Sequence, residues 1–330
     1  ASILAILMMI FGVAILLLNQ ISVKSRKSYT TVTGKSGQIS KFNLGRSGKY
    51  IIAIILIIIT FFTSIFPIVS FAFETFLPNP GDYSFLYTGD PDNLTTKWWV
   101  TNENITENGM YGQQGILYND MIWHAYKGTI MVSVCCALTA GTIGTLIGYA
   151  VSKNRRSRWA NYVNSMAFLP YLMPSIAVGV AFFILFSNKY VNLFNTYALL
   201  IIVGTVKYIP FASRSSLNSM LQLSGEIEEA AIIQDIPWTK RMTRIIIPIQ
   251  KTSIISGYLL PFMTCLRELS LFILLCVQGF ILSTTLDYFD EMGLYAFSSG
   301  INLILIVTIL ICNALVNKAT GASLDKGIGG

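Results

Sequence analysis

Glu226–Lys251 reads EIEEAAIIQDIPWTKRMTRIIIPIQK, a charge-dense stretch set between hydrophobic runs. Glu226, Glu228 and Glu229 open it, where the positive N-terminal end of a helix favours acids. Lys240, Arg241 and Arg244 come later, where a C-terminal end favours bases. Asp235-Ile236-Pro237 interrupts the pattern between them. Asp tolerates a left-handed turn or caps the next helix, and Pro is accommodated in a helix's first turn. The stretch therefore predicts two short amphipathic helices joined by a bend, outside the hydrocarbon. Their apolar positions Ala230, Ile233, Met242 and Ile245 call for a partner surface.

On either side the sequence turns strongly apolar. A span is predicted at Asn195–Ala212 before the stretch and another at Thr252–Cys276 after it. Of the 330 residues 53% are hydrophobic and 12% charged, a composition of a polytopic helical membrane protein rather than a soluble domain. The net charge of +7 is gathered in short loops, where it sets topology instead of marking a nucleic-acid surface. The five cysteines (135, 136, 265, 276 and 312) lie in or beside apolar runs without ligand-like spacing and read as packing residues. His124 stands alone and builds no metal site.

Further outward, spans are predicted at Ile3–Leu18, Tyr50–Phe73, Gly128–Val151, Trp159–Ser187 and Gly293–Val316, seven in all, with the N-terminus outside. Residues 20–49 carry seven Lys and Arg and no acid, and residues 152–159 are also basic; both are expected inside, as are residues 213–251. Residues 74–127 are acidic and expected outside, with Trp98, Trp99 and Trp123 at the interface. Gly34-Lys35-Ser36 is no phosphate loop, because Tyr29 stands where the earlier glycine is needed and no strand precedes it. Gly141, Gly144 and Gly148 permit close helix approach. Pro170 and Pro174 interrupt the fourth span, and the freed backbone groups need a neighbouring helix or a wet cavity. Lys207 is expected to reach towards headgroups from the fifth span. Arg267 and Glu268, placed well within the sixth, should each face a partner or a pathway.

Glu229-Ala230-Ala231, three residues, Asp235, nine residues, then Ile245-Ile246-Ile247-Pro248 resembles the EAA loop of ABC-importer permeases, E-A-A-x3-G-x9-I-x-L-P. Two positions depart: Asp235 stands where Gly is usual and Ile247 where Leu is usual. The resemblance covers about 50–316 and implies an all-α, type I-like six-span permease domain with a coupling loop at 222–251. In that family the loop docks on a separate ATPase subunit, so Glu229, Ala230, Ala231, Asp235, Ile245 and Pro248 become candidate coupling residues. Pro170, Pro174, Lys207, Arg267 and Glu268 are candidates for a pathway or an intramembrane ion pair.

The chain opens within an apolar run. Residues 1–19 with the basic linker 20–49 resemble the joint of fused permeases such as ferric-iron permeases, implying an N-terminal permease half upstream or a second permease copy. Residues 317–330 read as a loose tail. The resemblance implies a multi-pass subunit of the bacterial inner membrane in contact with lipid, served by ABC ATPase subunits and an extracytoplasmic substrate-binding protein. ATP with magnesium would belong to the ATPase partner. The chain itself is expected to bind no cofactor, metal or nucleic acid and to be no enzyme; ferric iron is the expected cargo. Thiamine, phosphonate, sulfate and polyamine remain open, as does an ion-gradient-driven secondary transporter.

Overall fold

A computed structural model describes residue 10 and residues 45–88, 94–105, 112–188 and 190–320. The expected span at 3–18, the linker up to residue 44 with its Gly34-Lys35-Ser36, Lys189 and the tail from 321 lie outside the described residues. Among the described residues there are helices and two isolated bridges, Ile105 with Gln113 and Ser187 with Asn192.

Among the described residues four helices are long and apolar enough to cross a membrane: α1 (Ser47–Glu74), α2 (Asp120–Lys153), α5 (Tyr197–Gln222) and α10 (Tyr295–Thr320). A broken pair, α3 (Arg158–Leu172) and α4 (Ser175–Phe186), is bent by 101°. After α6 (Gly225–Ile233), a second pair, α7 (Trp238–Ile249) and α8 (Lys251–Leu266), is bent by 86°. Counting each pair as one span gives up to six among the described residues. α9 (Leu282–Glu291) is a short amphipathic helix between α8 and α10. In hydrocarbon a run such as residues 51–59, IIAIILIII, must satisfy its backbone internally, which overrides the strand preference of isoleucine and gives α1.

α2 is the axis of the bundle. Its 34 residues span about 51 Å at helical rise, and it packs along α5 and α8. Asn119 caps its start by accepting from the Ile122 amide, 3.2 Å. The expected glycine approach is present: a Cβ on Gly144 would lie 2.5 Å from the Ala212 Cβ and 2.7 Å from the Ser213 nitrogen of α5. One turn along, a Cβ on Gly148 would lie 2.7 Å from the Leu217 nitrogen. Backbone cannot retreat as a side-chain tip can, so Gly144→Val is expected to lower stability by about 1–3 kcal/mol. Gly225→Ala, whose nearest contact is the Glu229 carboxylate at 3.7 Å, should be near neutral. Thermal melting of the two variants in detergent checks the contrast.

Buried clusters lie along this axis. At the start of α2, Ile116 and Ile122 pack with Trp98, Phe289, Phe297 and Ile301. Trp98 is therefore a core residue rather than an interfacial one, and its indole N–H donates to the Leu77 carbonyl, 2.7 Å. Mid-bundle, Val132, Cys136 and Ala140 pack with Leu199, Val203, Tyr208, Leu271, Phe272 and Leu275. At the far end Met220, Met242, Ile246 and Ile254 close against Tyr149. Cys136, Cys265 and Cys276 are buried packing residues, as expected.

The sixth span differs from expectation. Its helix, α8, stops at Leu266, and residues 267–281 run as turns that bury Leu271, Phe272, Leu275, Cys276 and Ile281 in the bundle. Glu268 makes the stop: its carboxylate accepts from the Leu271 amide (3.1 Å) and the Tyr208 hydroxyl (3.1 Å), while Ser283 donates to its carbonyl (2.8 Å). Thr129 of α2 accepts from the Leu282 amide, 2.7 Å, and Asn195, in the left-handed region, joins Leu275 and Val277. A non-helical backbone of this kind is tolerated at membrane depth because protein surrounds it.

Candidate coupling loop and helix break

α6 begins at Ser224, whose hydroxyl accepts from the Glu226 amide at 3.4 Å, and Glu226 and Glu228 occupy its first turn. Its inner face is short: Glu228 and, three residues on, Ala231. Asp235 then takes φ +54, the left-handed conformation expected of it, and Pro237 opens α7. The Ile236 amide donates to the Ala231 carbonyl, 3.1 Å, so the bend closes on the end of α6. The first turn of α7 passes into a π-helical turn over Met242–Ile246, which buries Met242 and Ile246 against α5 and α8. Pro248 sits in the first turn of the last short helical piece, Ile247–Ile249.

The anchor of this loop is Glu228, 6% exposed. Its carboxylate pairs with the Lys153 ammonium at the end of α2, accepts a short hydrogen bond from the Tyr149 hydroxyl, and lies 3.8 Å from the Arg241 Nε. Arg241 also donates to the Ile236 carbonyl, 2.8 Å, so one guanidinium braces the bend from within. Burial pushes the Glu228 carboxyl up; Lys153, Tyr149 and Arg241 together outweigh it and hold it below the usual carboxylate range. This constellation was not expected from the sequence, where Glu228 read only as one of three acids at a helix start. Nothing within the stretch itself singled it out; the signal lies in Tyr149 and Lys153, far earlier in the chain.

Glu229, Ala230 and Ile233 point the other way, Ile233 being 82% exposed. Asp235 and Pro248 are exposed, Ile245 is half-buried and Ala231 is buried. The candidate coupling residues therefore do not share one surface. Ala231 holds the loop to the bundle, while Glu229, Ala230 and Ile233 form its free face with Ile232. Met242, expected to seek a partner, is already covered within the chain.

The second constellation lies in the membrane. The α3–α4 break falls at Met173-Pro174. The carbonyl of Pro170 would ordinarily accept from residue 174, which is proline and has no N–H. Lys207, 8% exposed on α5, supplies the donor: its ammonium donates to the carbonyls of Pro170 (3.1 Å) and Met173 (2.6 Å). Lys207 thus turns inward instead of reaching for headgroups. Arg267 is exposed at the C-terminal end of α8 and does not lie within a helix. Glu268 is held by Tyr208, and among the described residues no salt bridge joins it to Lys207 or Arg267. Among the described residues no group of three or more His, Cys, Asp or Glu is placed to hold a metal.

Residues 140–322 match the family described as binding-protein-dependent transport system inner membrane component. A candidate ferric transport system permease protein of Haemophilus influenzae is 24% identical over 277 residues, 83% of this chain and 40% of that protein. The putrescine transport system permease protein of Escherichia coli is 26% identical over 204 residues, 59% of this chain and 68% of that protein. The chain spans about 40% of the length of the ferric relatives it matches. In fold it is similar to a chain from the crystal structure of a bacterial ABC transporter involved in alginate import. The TM-score is 0.60, at 16% identity, over 83% of this chain and 98% of that one.

Proposed function

This chain belongs to the family of binding-protein-dependent transport system inner membrane components, and from that membership we propose that it is the membrane-spanning subunit of an ATP-driven importer of ferric iron. The observation that carries the reading is the α6–α7 loop. It is pinned to α2 by Glu228 and turns Glu229, Ala230, Ile232 and Ile233 away from the bundle. A separate ATPase subunit, holding ATP and magnesium, would receive this face, and an extracytoplasmic binding protein would deliver cargo at the opposite end. Coupling requires an element that both sites bias, and a loop joined to a helix running the length of the bundle is suited to that task. Ferric iron is favoured because two relatives matched over 83% of the chain are named for ferric transport; the putrescine and molybdate/tungstate relatives match over shorter stretches.

Charge reversal at exposed Glu229 should cost little stability, within about 0.5 kcal/mol. Glu229→Arg is therefore expected to leave insertion intact while the ATPase subunit no longer co-purifies and uptake of labelled ferric iron falls at least about tenfold, the equivalent of some 1.4 kcal/mol of lost docking. Undiminished co-purification and uptake would refute the coupling assignment. Co-purification of the ATPase with the wild-type chain, together with loss of putrescine uptake and unchanged iron uptake in a strain lacking the gene, would reject the cargo alone.

A further inference from the structure

An open cavity of about 450 Å³ lies at the end of the bundle opposite the α6–α7 loop, between the last turns of α1, the end of α9 and the first turns of α10. Its polar lining is rich in oxygen: Ser70 and Glu74 from α1, Asp290 from α9, and Ser298, Ser299 and Asn302 from α10. Among the described residues no Lys, Arg or His lines it, so two carboxylates face the space without a balancing charge from them. Both are fixed. Glu74 accepts from the Gly81 amide (3.2 Å) through one oxygen and from the Tyr83 hydroxyl (3.0 Å) through the other, and Asp290 accepts from the Ser298 hydroxyl (3.3 Å). Each carboxylate oxygen retains lone-pair capacity after one such bond.

Ser299 provides a separate observation. It is 6% exposed, lines the cavity, and among the described residues has no hydrogen-bond partner. A helical serine ordinarily returns its hydroxyl to the preceding turn, as Ser298 does to the Tyr295 carbonyl. Ser299 leaves its oxygen available. Carboxylate, hydroxyl and amide oxygens in one concavity make the ligand set of a hard cation, and the volume leaves room for part of a water shell.

We propose that this cavity binds a divalent cation of the calcium type, held between Glu74 and Asp290 with Ser299 and Asn302 contributing neutral oxygens. Such a cation would fasten the end of α1 to the corner between α9 and α10. The site is independent of the importer reading and of the cargo.

Calcium chloride titrated against the full chain in phosphatidylcholine nanodiscs, with radiolabelled calcium and the thermal midpoint as readouts, tests it. Saturable binding with a Kd on the order of 10⁻⁴–10⁻³ M and a rising midpoint are expected. The double variant Glu74→Gln, Asp290→Asn should weaken binding at least about tenfold, and Ser299→Ala by a smaller factor. Should Glu74→Gln disturb the 75–83 loop, Asp290→Asn alone carries the comparison. Absence of saturation, equal binding by the charge-neutralised variant, or saturation by ethanolamine but not by calcium would each overturn the proposal.

Discussion

Glu228→Ala is expected to abolish uptake and to free the α6–α7 loop from the bundle, a larger effect than any change on the loop's outer face. The substitution strips Lys153 and Arg241 of their shared counter-charge and leaves the Tyr149 hydroxyl without its acceptor. Removing one partner of a fully buried pair costs about 3–5 kcal/mol. Lys153 is 35% exposed, so solvent recovers part of this and about 2–3 kcal/mol is the expected loss. Protease cleavage at the 234–238 bend in Glu228→Ala membranes, with the wild type resistant, checks the release. Glu228→Gln keeps an acceptor for Tyr149 and should fall between the two.

The same carboxylate fixes how the loop responds to pH. Its pKa is lowered in the folded protein, so the stabilisation is fully present above the unfolded value, about 4.3, and is lost as pH falls through the folded value. Loop anchoring should be level from about pH 8 to pH 5 and weaken only in stronger acid. Melting curves extended from that range into stronger acid, below the unfolded value, should show an acid step in the wild type that Glu228→Gln lacks.

Lys207→Met is expected to open the α3–α4 break. Methionine keeps an unbranched side chain one atom shorter but donates nothing, leaving the carbonyls of Pro170 and Met173 without the ammonium they share. Each unsatisfied buried carbonyl costs about 1–3 kcal/mol. Relief of the buried charge offsets part of that total, so the geometry of the bend should change more than the melting temperature. Spin labels on α3 and α4 should report a departure from the 101° bend and a broader distance distribution, with uptake reduced. Lys207→Arg, which still donates, should restore the distances. Unchanged distances and uptake in Lys207→Met would show that the break is held by its surrounding packing.

The two constellations differ in how far they were legible beforehand. Asp235 was readable because its role is local: a left-handed φ between two helices is written in the Asp-Ile-Pro order itself. The helix break was readable from Pro174 for the same reason, although α3 runs on through Pro170, which was expected to interrupt it too. The glycine seam was readable as well, since a small residue every turn admits a neighbour whatever that neighbour is. Lys207 was misjudged because its acceptors lie 34 and 37 residues away and exist only once the break has formed. Arg267 and Glu268 were placed inside a helix because residues 269–281 are as apolar as a span. Apolar composition does not separate a helix from turns wrapped in protein. Glu228 escaped notice because Glu226, Glu228 and Glu229 are equally suited to a helix start; only Tyr149 and Lys153, some 75 residues earlier, tell them apart.

The turns at 267–281 constrain the order in which the chain can enter the bilayer. Their backbone is answered in part by Thr129 and Asn195, groups that exist as partners only after α2 and the start of α5 stand side by side. A segment with its backbone unanswered cannot leave the translocon laterally into lipid as a helix does. During biogenesis the stretch must wait at the insertion machinery until the earlier helices have gathered, and α10 waits behind it. Assembly of this chain is thus sequential, its last third being completed by the protein that precedes it and not by the membrane.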